Sequence, residues 1–150
     1  MNENNFVHYL TKILLEIMFY GGILCCAAVP FIASSAAFYF GYSETMVVAF
    51  AIIIFSSGIC SLFIIWQLKI VFKSLIAGNP FIPENVSCFR KCAVACFLIG
   101  IAFIIDILLA FTVVSVFIVI IFSLLGLFCL TLKDVFKQAI VYKEDQDWTV

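Results

Sequence analysis

The sequence predicts an all-α integral membrane protein, a four-helix bundle with cytoplasmic helical extensions. Three observations predict it. The 150 residues are 66% hydrophobic and only 11% charged, where soluble domains carry about 45–50% apolar and about 25% charged residues. Mean hydropathy is +1.27, more apolar surface than a water-soluble fold of this length can hide. The charges gather in a few short segments and leave apolar runs of membrane-spanning length between them.

The first apolar run extends from Ile13 to Phe40, 28 residues. The small residues of "AVPFIASSAAFYF" mimic a cleavage site, but a signal-peptide core measures only about 7–15 residues. The run is therefore expected to stay as a span over 13–40. Pro30 inside it removes one backbone donor and predicts a kink. "GYSE", Gly41 to Glu44, supplies the first turn, and the uncharged run Met46 to Leu68 supplies a span over 46–68. Ala93 to Leu132 holds 40 residues with one charge, Asp106. A single helix of that length would overshoot a core of roughly 30 Å. It must fold into two spans, over about 90–110 and 114–132, with a tight outer turn between Asp106 and Ser115. Residues 133–150 remain as an amphipathic helix and acidic tail.

All eight basic residues, Lys12, Lys69, Lys73, Arg90, Lys91, Lys133, Lys137 and Lys143, then fall on one side. The positive-inside rule makes that side cytoplasmic, with both termini on it, in the cell membrane. Tyr39 and Tyr42 suit the outer interface and Trp66 the inner one.

Between the second and third spans lies a polar island, "FKSLIAGNPFIPENVSCFRK" from Phe72 to Lys91. Gly78 suits a left-handed helix stop, and Asn79 before Pro80 is biased away from helix. Pro83 suits the first position of the next helix, with Glu84 at its positive end. Phe81 and Ile82 are expected to tuck against helix ends or the membrane surface. "LKIVFKSLI" (68–76) and "LKDVFKQAI" (132–140) agree at six of nine positions. Duplication of a two-span hairpin and convergence on a common exit sequence both account for this. Leu132, Val135, Phe136, Ala139 and Ile140 share one helical face.

"GNPFIPENV" with its following basic pair, and the terminal "LKDVFKQAIVYKEDQDWTV", resemble the domain-of-unknown-function 2975 family. The resemblance covers nearly the whole chain. It implies a small four-span bacterial membrane protein of no established activity. Family members are often encoded beside small helix-turn-helix regulators, which implies a regulatory pairing. Two positions depart from the family pattern: Ile82 stands where a Thr-like cap is expected, and Trp148 where a smaller aliphatic is expected.

No nucleophile–base set, phosphate loop or metal-ligand spacing occurs, so neither an enzyme nor a cofactor is expected. The single His excludes a histidine-rich metal site, and a net charge of −1 gives no pull toward nucleic acid. The seven cysteines form no secreted framework. Cys88, Cys92, Cys96 and Gly100 recur every fourth residue, as a close-packing seam would. Asp106 is the sharpest intramembrane candidate, read either as a functional group or as a carboxylate at the outer turn. Glu16 is read first as an i,i+4 partner of Lys12, and Gln67 as a cavity-lining group with Ser57 or Ser61. The partner-facing candidates are Asn79, Pro80, Phe81, Pro83, Glu84, Asn85, Phe136, Glu144, Asp145, Asp147 and Trp148. The leading expectation is a membrane-bound regulatory protein whose cytoplasmic face binds a cytosolic partner. The alternative is a transport or immunity protein meeting its ligand within the bundle. Besides lipid, a second copy of the chain is an admissible partner.

Overall fold

Lipid offers the backbone no hydrogen bonds, so each apolar run must satisfy its own N–H and C=O groups as helix. The computed structural model describes the backbone of residues 3–40 and 43–149, and their side chains except 3–7, 34, 36–40 and 147. Tyr42 and the side chains of Tyr39 and Asp147 lie outside the described residues. Four helices follow in order: α1 (Glu3–Phe40), α2 (Glu44–Ile76), α3 (Pro83–Leu109) and α4 (Val113–Trp148). All four are long and apolar enough to cross a membrane. α1 runs unbroken through Pro30.

Neighbouring helices run antiparallel. Gly22 meets Leu62 and Gly58 meets Cys26 between α1 and α2. Phe97 lies over Gly126 between α3 and α4. Both described chain ends, the 77–82 turn and all the basic residues therefore share one end of the molecule, called here the basic end.

The helices pack in chain order, α1 on α2, α2 on α3 and α3 on α4. Among the described residues no other pair approaches closely along its backbone. α3 is the centre of this open bundle. Seven of the nine buried hydrophobic side chains among the described residues belong to it: Cys88, Phe89, Cys92, Ala93, Ala95, Cys96 and Ile99. Its small-residue seam lets α2 and α4 close in from two sides. Cys92 Sγ lies 4.0 Å from the Ile64 carbonyl of α2. Because lipid tails are as apolar as the side chains, such close backbone approach, rather than hydrophobic burial, holds spans together. All the cysteines are free thiols, as a hydrophobic-packing role requires.

Each α1–α2 meeting point is tight. A methyl group added at Gly58 would lie 2.5 Å from Cys26 Sγ, and one at Gly22 would lie 2.8 Å from Leu62. The two helices cross at this waist and open a cavity on either side of it. One, of about 800 Å³, is lined by Pro30, Ala33, Val47 and Ala51 among others. The other, of about 430 Å³, lies at the basic end. A third, of about 440 Å³, lies between α2 and α3 beside Arg90 and Lys91.

Candidate functional site

The 77–82 turn is built by its sequence, residue by residue. Gly78 takes φ 78°, a left-handed conformation that costs an L side chain about 1–2 kcal/mol. With it, Asn79 N–H reaches the Ser74 carbonyl at 3.2 Å, and Gly78 N–H reaches that of Leu75 at 3.1 Å. This is the double closure of a Schellman stop. Pro80 follows where no further helical bond is wanted. Pro83 opens α3, and Ile82 at its N-cap makes no side-chain capping bond, which is what an apolar residue in place of Thr must give.

Asn85 fastens the turn from inside. It is fully buried, and its Nδ2 donates to Ser74 Oγ and to the Pro80 carbonyl, each at 2.6 Å. It therefore offers no surface to a partner, and its place among the partner-facing candidates is corrected to a structural one. The side-chain oxygen of Asn85 is buried without a hydrogen-bond partner, as is that of Gln67 on α2.

The turn leans on α4. The Phe136 ring lies 5.5 Å from Phe81 and 5.0 Å from Phe89, and Lys143 Nζ donates to Asn79 Oδ1 at 3.1 Å. Phe136 is thus half-buried as the anchor of this contact. Pro83 and Glu84 are exposed, Pro80 is half-buried, and Phe81 keeps an exposed edge.

α4 has 36 residues, about 54 Å at 1.5 Å per residue, against a hydrocarbon core of roughly 30 Å. About sixteen residues must lie beyond the core, and the charges from Lys133 onward mark them. The helix continues to Trp148, where Thr149 Oγ1 donates to the Asp145 carbonyl at 2.6 Å. The terminal segment is therefore helical as far as Trp148. Its inner face carries Phe136, Ala139, Ile140 and Lys143. At helical spacing, Val135, Gln138, Val141, Tyr142, Asp145 and Trp148 occupy the opposite face. Tyr142 is 70% and Trp148 88% exposed, with Glu144 and Asp145 exposed beside them. Val135, assigned from sequence to the apolar face with Phe136, is exposed instead. Val141 and Tyr142 are exposed apolar positions that the polar pattern of the tail does not single out. The available signal is their place across the helix axis from Phe136 and Ile140.

Asp106 lies three residues before the end of α3, buried, and its carboxylate accepts a hydrogen bond from the buried Ser115 hydroxyl. The two groups tie α3 to α4 across the three-residue turn 110–112. Asp106 therefore sits beside the 110–112 turn, buried there rather than reaching water. Gln67 is buried on α2, and neither it nor Asp106, Ser57 or Ser61 lines any of the three cavities. The expected Lys12–Glu16 ion pair is corrected. Among the described residues only Lys133 and Asp134 form one, at 3.1 Å. Lys12 and Glu16 instead line the basic-end cavity together with Lys69 and Lys73.

Among the described residues no group of three or more His, Cys, Asp or Glu side chains is disposed to hold a metal ion. The fold defines a small multi-pass membrane protein of four helices. The chain belongs to the family described as "Protein of unknown function (DUF2975)", whose pattern it matches over residues 12–150. Neither a curated protein nor a solved structure matches it significantly.

Proposed function

We propose that the protein is a membrane-bound regulatory protein that docks a cytosolic partner on the basic end of its bundle. The docking surface combines the exposed edge of the 77–82 turn with the outer face of the projecting part of α4. The positive-inside rule assigns this end to the cytoplasm, because every Lys and Arg gathers there.

One observation carries the reading. Trp148, 88% exposed, and Tyr142, 70% exposed, stand on a helix beyond the length that lipid can cover. Aromatic side chains on a preformed element are the residue types that anchor interfaces. Glu144 and Asp145 beside them favour a basic partner by charge complementarity, such as a small helix-turn-helix regulator held away from DNA. The competing reading, a ligand met inside the bundle, rested on Asp106 and Gln67. The first is engaged by Ser115 at a turn, and neither lines a cavity.

The test places a photo-crosslinking residue at Tyr142, at Trp148 or, as a lipid-facing control, at Leu127 in the full-length protein in cells. Adducts of one defined mass from the first two positions and none from Leu127 support the reading. They must disappear on deletion of 143–150 when the probe is at Tyr142. Adducts that persist after the deletion, or no protein adduct at either position, overturn it. A reporter fused after Val150, silent when periplasmic, checks the orientation independently.

A further inference from the structure

The cavity between α1 and α2 at the basic end has a different chemistry from the docking face. Its lining brings together Lys12, Lys69 and Lys73, one carboxylate, Glu16, and the apolar surfaces of Leu15, Trp66, Ile70 and Ile76. Three ammonium groups thus face one carboxylate. None of these four charged groups forms an ion pair among the described residues. Lys69 is held in place by its own surroundings: its Nζ lies 5.0 Å from the Phe19 ring centroid, and Phe19 packs on Trp66. Trp66 marks this level as the membrane–water interface.

From this we infer that the cavity is a binding site for one anionic glycerophospholipid of the adjoining leaflet. The phosphate meets the ammonium groups of Lys12, Lys69 and Lys73. A headgroup hydroxyl donates to Glu16, and an acyl chain lies along Leu15, Ile70 and Ile76. A free phosphate would leave that apolar wall unused, whereas a lipid uses both halves of the cavity. Among the described residues α1 packs on α2 alone, so the bound lipid adds a second tie between helices otherwise joined at the Gly22–Leu62 and Cys26–Gly58 waist.

Each lysine near an anionic surface favours association several-fold, so three of them, partly offset by Glu16, predict a preference of about 10- to 100-fold for an anionic over a zwitterionic lipid. The experiment is native mass spectrometry of the full-length protein. It is released from nanodiscs containing equal amounts of phosphatidylglycerol and phosphatidylcholine. One retained phosphatidylglycerol, in about 10-fold or greater excess over phosphatidylcholine, is the expected result. The K12Q/K69Q/K73Q variant loses that excess. The K12R/K69R/K73R variant keeps it, which separates loss of charge from loss of fold. The K133Q/K137Q variant, neutralised elsewhere on the same end, also keeps it. Added inorganic phosphate does not displace the lipid. Equal retention of the two lipids, equal loss from the Gln variants at both places, loss from the Arg variant, or displacement by inorganic phosphate overturns the proposal.

Discussion

Replacing Ser115 by alanine removes the one hydroxyl bonded to the buried Asp106 carboxylate. Asp106 is 7% and Ser115 4% exposed, so water cannot readily replace the lost partner. A hydrogen bond to a charged group contributes about 1.5–3 kcal/mol in soluble proteins. Side-chain hydrogen bonds between membrane helices average about 0.6 kcal/mol and reach about 1.7. The turn position sets the balance between these two ranges. The bond lies at the helix ends, where the unfolded reference is better hydrated than the bilayer centre, but both groups are desolvated when folded. A coupling of about 1–2 kcal/mol follows, a factor of about 5–30 in the unfolding equilibrium. The assay is a double-mutant cycle of Asp106→Ala and Ser115→Ala, unfolded reversibly by titrating SDS into mixed micelles and followed by circular dichroism. Asp106→Asn retains an accepting oxygen and is expected to cost less than Ser115→Ala. A coupling below about 0.3 kcal/mol, within the scatter of independent sites, would refute the tie between α3 and α4.

Three further outcomes follow from the basic end and the seam. Asn85→Ala removes two hydrogen bonds from a fully buried side chain and is expected to cost about 2 kcal/mol, read by the same SDS titration. Gly78→Ala forces a Cβ into the left-handed region and is expected to cost about 1–2 kcal/mol; Ala77→Gly one position earlier, at an ordinary right-handed φ of −71°, is expected to cost less. Cys92→Leu overpacks a side chain that is 1% exposed and is expected to cost about 1–3 kcal/mol, whereas Cys25→Leu, at an outward-facing position, is expected to stay within about 0.5 kcal/mol. Equal costs in the SDS titration would contradict the position of the α3 seam.

Much of this architecture is legible in sequence because lipid is so restrictive a solvent. Only helices satisfy the backbone there, so apolar length alone yields four of them. Turn chemistry is equally local. Gly78, Pro80 and Pro83 each carry a backbone requirement that needs no distant partner to be understood. The every-fourth-residue seam of Cys88, Cys92, Cys96 and Gly100 likewise announced close packing. What could not be read is pairing across helices. Asp106 and Ser115 bracket the expected turn in sequence, but their hydrogen bond depends on a three-residue turn that fixes the register of α4 on α3. Lys12 and Glu16 looked like a local pair because i,i+4 spacing is visible in one dimension. The crossing of α1 over α2 brings Lys69 and Lys73 to the same place, and no one-dimensional spacing encodes that. The burial of Asn85 is hidden from the sequence for a related reason. A polar residue in a polar island reads as surface until the turn is folded back over it.

The division of labour on α4 bears on how a partner would be recognised. Its inner face is already occupied by the turn, through Phe136 against Phe81 and Phe89 and through Lys143 on Asn79. Its outer face, with Val141, Tyr142 and Trp148, needs no such contact to be broken before it is used. The helix is anchored at one end by the membrane and along one side by the turn. A partner docking as proposed would therefore meet a formed helix and bear little of the ordering entropy that a disordered tail would impose on binding. The same geometry separates two kinds of variant. Under the proposed docking mode, changes at Tyr142 or Trp148 would remove contacts to the partner, and they leave the fold within about 0.5 kcal/mol, as expected for exposed positions. Changes at Phe136 or Asn85 release the inner face, so they weaken the fold and the docking surface together. A partner that responded to Phe136→Ala but not to Trp148→Ala would be reading the turn rather than the projecting helix.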